Sequence, residues 1–502
     1  MIRRTVVVVA LGTACALLAQ PATAVDQPPV HSPEYVARDA RNIADAYGRV
    51  TGPGGQLANP AYLPALATAT PVHHLAQLLA QAATPTRPAL TAGTVVPGWD
   101  VGNPLRAGWD GSRGLSERVA FTNRYGALLR GTVYRPLPGA RDPYTGRRLT
   151  GPFPGVVVTP GSVQGSEGMY RWLAQDLAER GFVVLTYDVQ GQGASETLPH
   201  EPHPGGQADA FPFCNPVASP SAGEQTGCPG VPSQQLANFE LGSVDALDFF
   251  VSTPHSPYAN PRSSDVEVDP HNPYWKLWDR RPDPRPATPG RTARLALVGH
   301  SMGAAAVSKV QGYDERVAAV VALDKLVGPD GSAPFEGLDT EPVVPALGLQ
   351  GEYGFTVAPY TVHGGSSLNP TPSPDGPDPR REKQTGYDAW RAAGVDSMVV
   401  VPRASTHLEW TDIPLVMPAS RYGQALSSHY AQAWLDRYLK HADNDRALTG
   451  TRFRYLEPRG GGVWQPITLE RDDLLSFYYC SAYSFGSGGH RLNDEDLAGV
   501  GC

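Results

Sequence analysis

The sequence predicts an α/β fold built on a mainly parallel, doubly wound sheet, and three observations carry that expectation. Short apolar runs alternate with amphipathic stretches of helical length through the middle of the chain. Several of these runs, Val156-Val157-Val158 and Leu295-Ala296-Leu297-Val298 among them, show no polar alternation, as strands buried on both faces do not. The second run feeds into Gly299-His300-Ser301-Met302-Gly303, and a small-residue stretch at 304–307 leaves it, so strand, sharp turn and helix follow one another directly.

The first 24 residues read as an export leader. Arg3-Arg4 precedes an apolar run over 5–18, and Ala22-Thr23-Ala24 is a small-residue site with cleavage expected after Ala24. The run is too short and too clearly terminated for an anchor, and no other approaches membrane-spanning length. A lipoprotein reading of Cys15 fits poorly, because Gly12 stands where a bulky aliphatic residue belongs. Export would leave Cys214, Cys228, Cys480 and Cys502, an even number suited to disulfides. Three connectivities are open, and local pairing, Cys214 with Cys228 and Cys480 with Cys502, is the expected one. None has zinc-type spacing, and no metal site is expected. The formal net charge is −8, or −10 without Arg3 and Arg4, which speaks against nucleic acid and anionic lipid as partners. With 54 Gly and 50 Pro the chain should be loop-rich, while 41% hydrophobic residues suffice for a large core.

Taken in order, residues 25–110 are expected to form a helical extension. Ser32-Pro33 has the form of an N-cap and first helical residue, with Val36, Ala40, Ile43, Ala44 and Tyr47 on one face. Thr70-Pro71 is expected to start a second helix with an apolar stripe of Leu75, Leu78, Leu79 and Ala82. His73 and His74 are adjacent, so they do not share a helix face and are read as solvated. An α/β domain is expected over 111–444. It opens with an antiparallel hairpin around 123–126, followed by strands near 156–158, 182–187, 295–298, 317–323, 343–350 and 398–401. Helices are expected after 170 with Gly181 as stop, and at 236–251, 382–393 and 420–440. Asp188-Val189-Gln190-Gly191-Gln192-Gly193 is read as a structural turn, since no helix or Lys-Ser/Thr follows it as in a phosphate loop. Insertions at 196–232, read as a lid, and 254–290 interrupt this pattern, and 445–502 is expected as an appended cap or edge.

The order of elements, with Gly299-His300-Ser301-Met302-Gly303 at the strand–helix turn, resembles the α/β-hydrolase family over residues 117–441. The turn Asp188-x-x-Gly191-x-Gly193-x-Ser195 is similar to one frequent in that family. The resemblance implies a nucleophilic Ser301 on a strained turn, with acid and histidine following in that chain order. A serine hydroxyl needs a base to take its proton. His407 follows the last sheet strand, whereas His300 should point elsewhere and His363, His429 and His441 lie in a loop or on the closing helix. Two acids compete. Asp324 ends the strand 320–323, a placement that resembles the platelet-activating factor acetylhydrolase branch, and is preferred. Glu352 follows Gly351 after the next strand; the usual later positions for the acid hold Gly354 and Phe355. Asp375 and Asp378 are more distant candidates. Met302 is expected to offer one oxyanion N–H and Ser162 the other, the latter by resemblance to the Pro-Gly-aromatic segment of cutinase-like polyesterases, here without its aromatic.

These readings converge on a secreted serine hydrolase that cleaves carboxylic esters through an acyl-enzyme and acts on a small-molecule or lipid-like ester. No cofactor is implied, because no Rossmann fingerprint, Walker loop or HExxH pair is present. A peptidase or amidase of the same fold, or an inactive relative serving as a binding module, are the alternatives. Prolyl-oligopeptidase relatives would need an N-terminal propeller, and dehalogenase and epoxide-hydrolase relatives would carry Asp at position 301. The oligomeric state is left open.

Overall fold

The computed structural model describes residues 27–84, 87, 91–162, 165–197, 235–260, 268–331, 337–360 and 373–502. The expected leader, the Cys214 and Cys228 pair and nearly all of the 196–232 insertion lie outside these residues. β1 (Gly114–Thr122) and β2 (Leu128–Pro136) form the expected hairpin, with Thr122 opposite Leu128. Asn123 builds its turn: the side-chain oxygen accepts the N–H groups of Tyr125 and Ala127. β3 (Gly155–Thr159), β4 (Val183–Tyr187), β5 (Leu295–His300), β6 (Ala319–Leu323), β7 (Ala346–Leu349) and β8 (Ser397–Val400) are parallel neighbours in the order 4-3-5-6-7-8. β2 runs antiparallel on β4. This is the α/β-hydrolase arrangement expected from the sequence, a mainly parallel sheet with helices on both faces.

Every residue of β3 to β8 is buried, which explains why these strands lack polar alternation. The pleat still sorts them. Val156 and Val158 pack with Trp172, Leu177, Leu426 and Trp434 on one face, while Val157 packs with Phe239, Leu247, Ala304 and Val307 on the other.

The N-terminal helices depart from expectation. α1 (Pro33–Asp45) has Ser32 as N-cap, its Oγ accepting the Tyr35 N–H. The buried face is Tyr35, Asp39 and Asn42, however, and Val36 is 55% exposed. Polar anchors decide the orientation: Tyr478 Oη donates to Asp39, and Asn42 donates to Glu352. α2 (Tyr62–Ala83) starts ahead of the predicted Thr70-Pro71 boundary and carries Pro71 in its interior. Pro71 removes one N–H from the ladder and crowds the carbonyl of Ala67, and the surrounding alanines and leucines sustain the helix in spite of it. Its expected core stripe faces outward, with Leu75, Leu78 and Leu79 45–63% exposed. The inner side is held instead by Gln77, which accepts from Arg87, and by Thr70 against Gly98. His73 is accordingly half-buried rather than solvated, and burial, reinforced by Arg171 and Arg118, lowers its pKa to about 4.

The helices that flank the sheet among the described residues include α3 (Arg171–Glu179), α4 (Leu236–Val251), α5 (Met302–Tyr313), α6 (Arg381–Gln384), α7 (Tyr387–Ala392) and α8 (Gly423–Lys440). The helix predicted over 382–393 is thus split. Gly386 lies at the break, where an added Cβ would meet the Leu326 carbonyl at 2.7 Å. The C-terminal segment does extend an edge: β11 (Ala482–Ser487) adds antiparallel to β8, and β12 (His490–Asp494) lies outermost. Between β8 and β11, β9 (Arg452–Gly460) and β10 (Val463–Glu470) form a separate hairpin. A disulfide joins Cys480 to Cys502, as local pairing requires. Among the described residues no helix is long and apolar enough to cross a membrane.

Candidate active site

The strand order changes direction between β4-β3 and β3-β5, the position where open parallel sheets place ligands, and the segments that follow β3, β5, β6, β7 and β8 line one cavity at the carboxyl ends of the strands. β5 is followed at once by Ser301, a non-glycine residue held at φ 55° and ψ −120°. The turn closes only because its glycines lack side chains. A Cβ on Gly299 would lie 2.1 Å from the Gly303 carbonyl oxygen, and one on Gly303 would lie 2.4 Å from that of Pro160. The Ser301 N–H is held by the Leu323 carbonyl at 2.9 Å. Met302 is the first residue of α5, so its N–H has no intrahelical acceptor and faces the helix mouth with the positive end of the dipole.

His407 lies beyond β8, and its Nε2 is 2.9 Å from Ser301 Oγ. Its Nδ1 is 2.5 Å from Asp324 Oδ2. An ionised carboxylate can only accept, so the ring proton sits on Nδ1 and the serine O–H points to Nε2. Asp324 follows β6 at φ 44°, and its other oxygen accepts the Gly351 N–H at 3.0 Å. Burial alone would raise the Asp324 pKa. The hydrogen bond and charge of His407, with Lys325 and the Gly351 N–H, reverse that and bring it to about 2. The acid therefore stays charged throughout the neutral range.

Glu352, the competing acid, is turned away. One oxygen accepts from Asn42 Nδ2 at 2.5 Å and from the Ala404 N–H at 2.6 Å, and the other accepts from Ser476 Oγ at 2.5 Å. Burial outweighs these bonds and raises its pKa. Asp375 and Asp378 are exposed, and Asp378 caps the turn at Arg380.

Ser162 lies on the loop that leaves β3 and borders the same cavity as Ser301. Gln192, in the turn after β4, holds that loop, its amide donating to the carbonyls of Gly161 and Gly165 at 2.8 and 2.9 Å. Asp188 holds the turn itself, accepting the N–H groups of Glu167 and Ala194. The structural reading of the 188–193 turn agrees with these bonds.

The cavity above Ser301 measures about 530 Å³ and is lined mainly by apolar side chains, Trp99, Met169, Phe355, Leu408 and Ile413, with Lys325 at its polar side. The Phe355 ring lies 4.4 Å from the His407 ring. In the sequence Phe355 is recognisable only as the occupant of a position where an acid is expected, and Trp99 and Lys325 do not stand out. Trp99 carries no local signal, because it reaches the site from the helical extension. Among the described residues, the one group disposed like metal ligands is Cys480, Asp496 and Cys502, where the two sulfurs are bonded to each other.

No family model matches the chain. Over 127 residues, 24% of its length, it is 33% identical to an uncharacterized protein of Pseudomonas aeruginosa, and it spans about a third (32%) of the length of that curated relative. Among solved structures it is similar to a ferulic acid esterase from Streptomyces cinnamoneus, at 17% identity over 65% of this chain and 89% of that one. The TM-score of 0.34 is too low for that likeness to bear on activity.

Proposed function

We propose that the chain is an exported serine hydrolase that cleaves carboxylic esters through an acyl-enzyme. The observation that carries this reading is the unbroken line Ser301 Oγ, His407 Nε2, His407 Nδ1, Asp324 Oδ2, with distances of 2.9 and 2.5 Å across its two hydrogen bonds. Ser301 Oγ attacks the ester carbonyl carbon as its proton passes to His407 Nε2. The carbonyl π pair moves to oxygen, and the oxyanion is received by the N–H groups of Met302 and Ser162. Collapse expels the alcohol, which takes the proton from His407, and leaves an acyl group on Ser301. Water then repeats the sequence, with His407 as base, and releases the acid. Asp324 remains ionised and holds the imidazole in the working tautomer. The apolar lining by Trp99, Met169, Phe355, Leu408 and Ile413 supports an ester with an uncharged, apolar acyl or alcohol group. The Cys480–Cys502 disulfide supports an oxidising destination.

The test is covalent labelling with a fluorophosphonate, located by peptide mass mapping, alongside hydrolysis of p-nitrophenyl esters of increasing chain length. Labelling confined to Ser301 and lost in Ser301→Ala supports the reading. A Ser301→Ala protein that hydrolyses these esters like the parent refutes it.

A further inference from the structure

A second line of hydrogen bonds joins two parts of the site through side chains that the reaction scheme leaves unused. The N–H of Gly161, on the loop that carries Ser162, donates to Tyr170 Oη at 2.9 Å. Tyr170 Oη lies 2.7 Å from His300 Nδ1, and His300 Nε2 lies 3.0 Å from the carbonyl oxygen of His407. A carbonyl oxygen only accepts, so Nε2 carries the ring proton and Nδ1 receives the tyrosine O–H. Each donor along the line then meets an acceptor. Tyr170 and His300 are 1% and 3% exposed, and burial, with the adjoining His407, lowers the His300 pKa to about 3, so the ring is neutral.

Space filling does not ask for this pair. Phe at 170 would occupy nearly the same volume, and burying a phenol and an imidazole is costly unless every polar atom is satisfied. The line also ends at two functionally placed segments. At one end, Gly161 approaches so closely that a Cβ would lie 2.9 Å from His300 Nδ1 and 3.1 Å from Ser301 Cβ. At the other end, the His300 ring lies 4.8 Å from that of His407 and 6.1 Å from that of Trp410. Asp324 fixes the His407 imidazole, while His300 holds the His407 backbone.

We infer that Tyr170 and His300 are positioning residues that keep the Ser162 loop and His407 in register, so that oxyanion donors and base reach the same substrate together. The inference rests on the Ser301–His407 reading above. Tyr170→Phe, which removes one oxygen, should lower kcat on a short p-nitrophenyl ester about tenfold with KM within about twofold, as the loss of one orienting hydrogen bond would. His300→Asn keeps an acceptor near the Nδ1 position but loses the donor to His407, and should lower kcat by a similar factor. His300→Gln places an amide N–H near the Nε2 position and should recover at least about threefold of that loss. Tyr170→Phe and His300→Asn with kcat within about twofold of the parent, whatever their melting temperatures, would overturn the inference, because a packing role moves stability alone. Equal kcat for His300→Gln and His300→Asn would also overturn it. Ser301→Ala in the same assay separates the two readings. An inactive Ser301→Ala beside a fully active Tyr170→Phe removes only this inference, whereas an active Ser301→Ala removes the hydrolase reading and this one with it.

Discussion

Asp324 and Glu352 leave neighbouring parallel strands at the same end of the sheet, and both are buried, yet they live under opposite electrostatic regimes. Asp324 faces groups that are or become positive, His407 and Lys325, and its pKa falls to about 2. Glu352 faces only neutral donors from Asn42, Ser476 and the Ala404 backbone, with Arg403 a weaker influence, and its pKa rises. Burial penalises both charges. A carboxylate kept ionised can orient a histidine, whereas one satisfied by neutral donors serves better to join segments.

The largest expected effect tests that division directly. Asp324→Asn should lower kcat by about four orders of magnitude, because the imidazole loses its working tautomer. Glu352→Gln, with Oε1 toward Asn42 and Ala404 and its amide toward Ser476, should stay within about tenfold. Parallel kcat measurements, with folding checked by circular dichroism, decide the matter, and the reverse ranking would exchange the two roles.

Stability should rank the pair the other way. Glu352→Ala strands three buried donors and leaves a cavity, so urea unfolding should show a loss of about 3–5 kcal/mol. Ser476→Ala, which takes one donor from Glu352 and the shared acceptor from the Tyr478 and Tyr479 N–H groups, should cost about 2–3 kcal/mol. A Glu352→Ala protein as stable as the parent would mean that the cage is incidental.

The smallest effect is a matter of sign against pH. The Asp324 pKa lies below its unfolded value of 3.8, so its contribution, ~2 kcal/mol, is present above about pH 4 and is lost as pH falls toward 2. The Glu352 pKa lies above its unfolded value of 4.5, so its contribution is complete below that pH and is lost as pH rises through the folded value. Unfolding midpoints of Asp324→Asn should therefore vary less with pH than the parent between about pH 2 and 4, and those of Glu352→Gln less above about pH 5. Identical pH profiles in all three proteins would erase the distinction.

Much of the sheet was legible because buried parallel strands write themselves as unbroken apolar runs, and 236–251 matched its helix end for end. The turn at Ser301 was legible because only glycine fits at 299 and 303. The sidedness of the N-terminal helices was not. Periodicity marks a stripe on α2, but the hydrogen bond from Arg87 to Gln77 and the approach of Thr70 to Gly98 lie on the other side, the one that meets the body. Phe355 and Trp99 escaped notice for a related reason: a cavity wall is assembled from distant segments, and no spacing along the chain records it. The position of Asp324 at the end of its strand was readable in the sequence, whereas the turning away of Glu352 depends on Asn42 and Ser476, each more than a hundred residues away.

The Glu352 cage also bears on when this protein becomes competent during synthesis. Its donors come from residues 42, 404 and 476, and Ala404, held at φ 59°, lies three residues before His407. A nascent chain ending after residue 441 already contains Ser301, Asp324 and His407 but lacks the last strut of the loop that presents the histidine. On the proposed function, activity should therefore arrive only once Ser476 has been made, and a cut between residues 441 and 476 would silence the site without touching Ser301, Asp324 or His407.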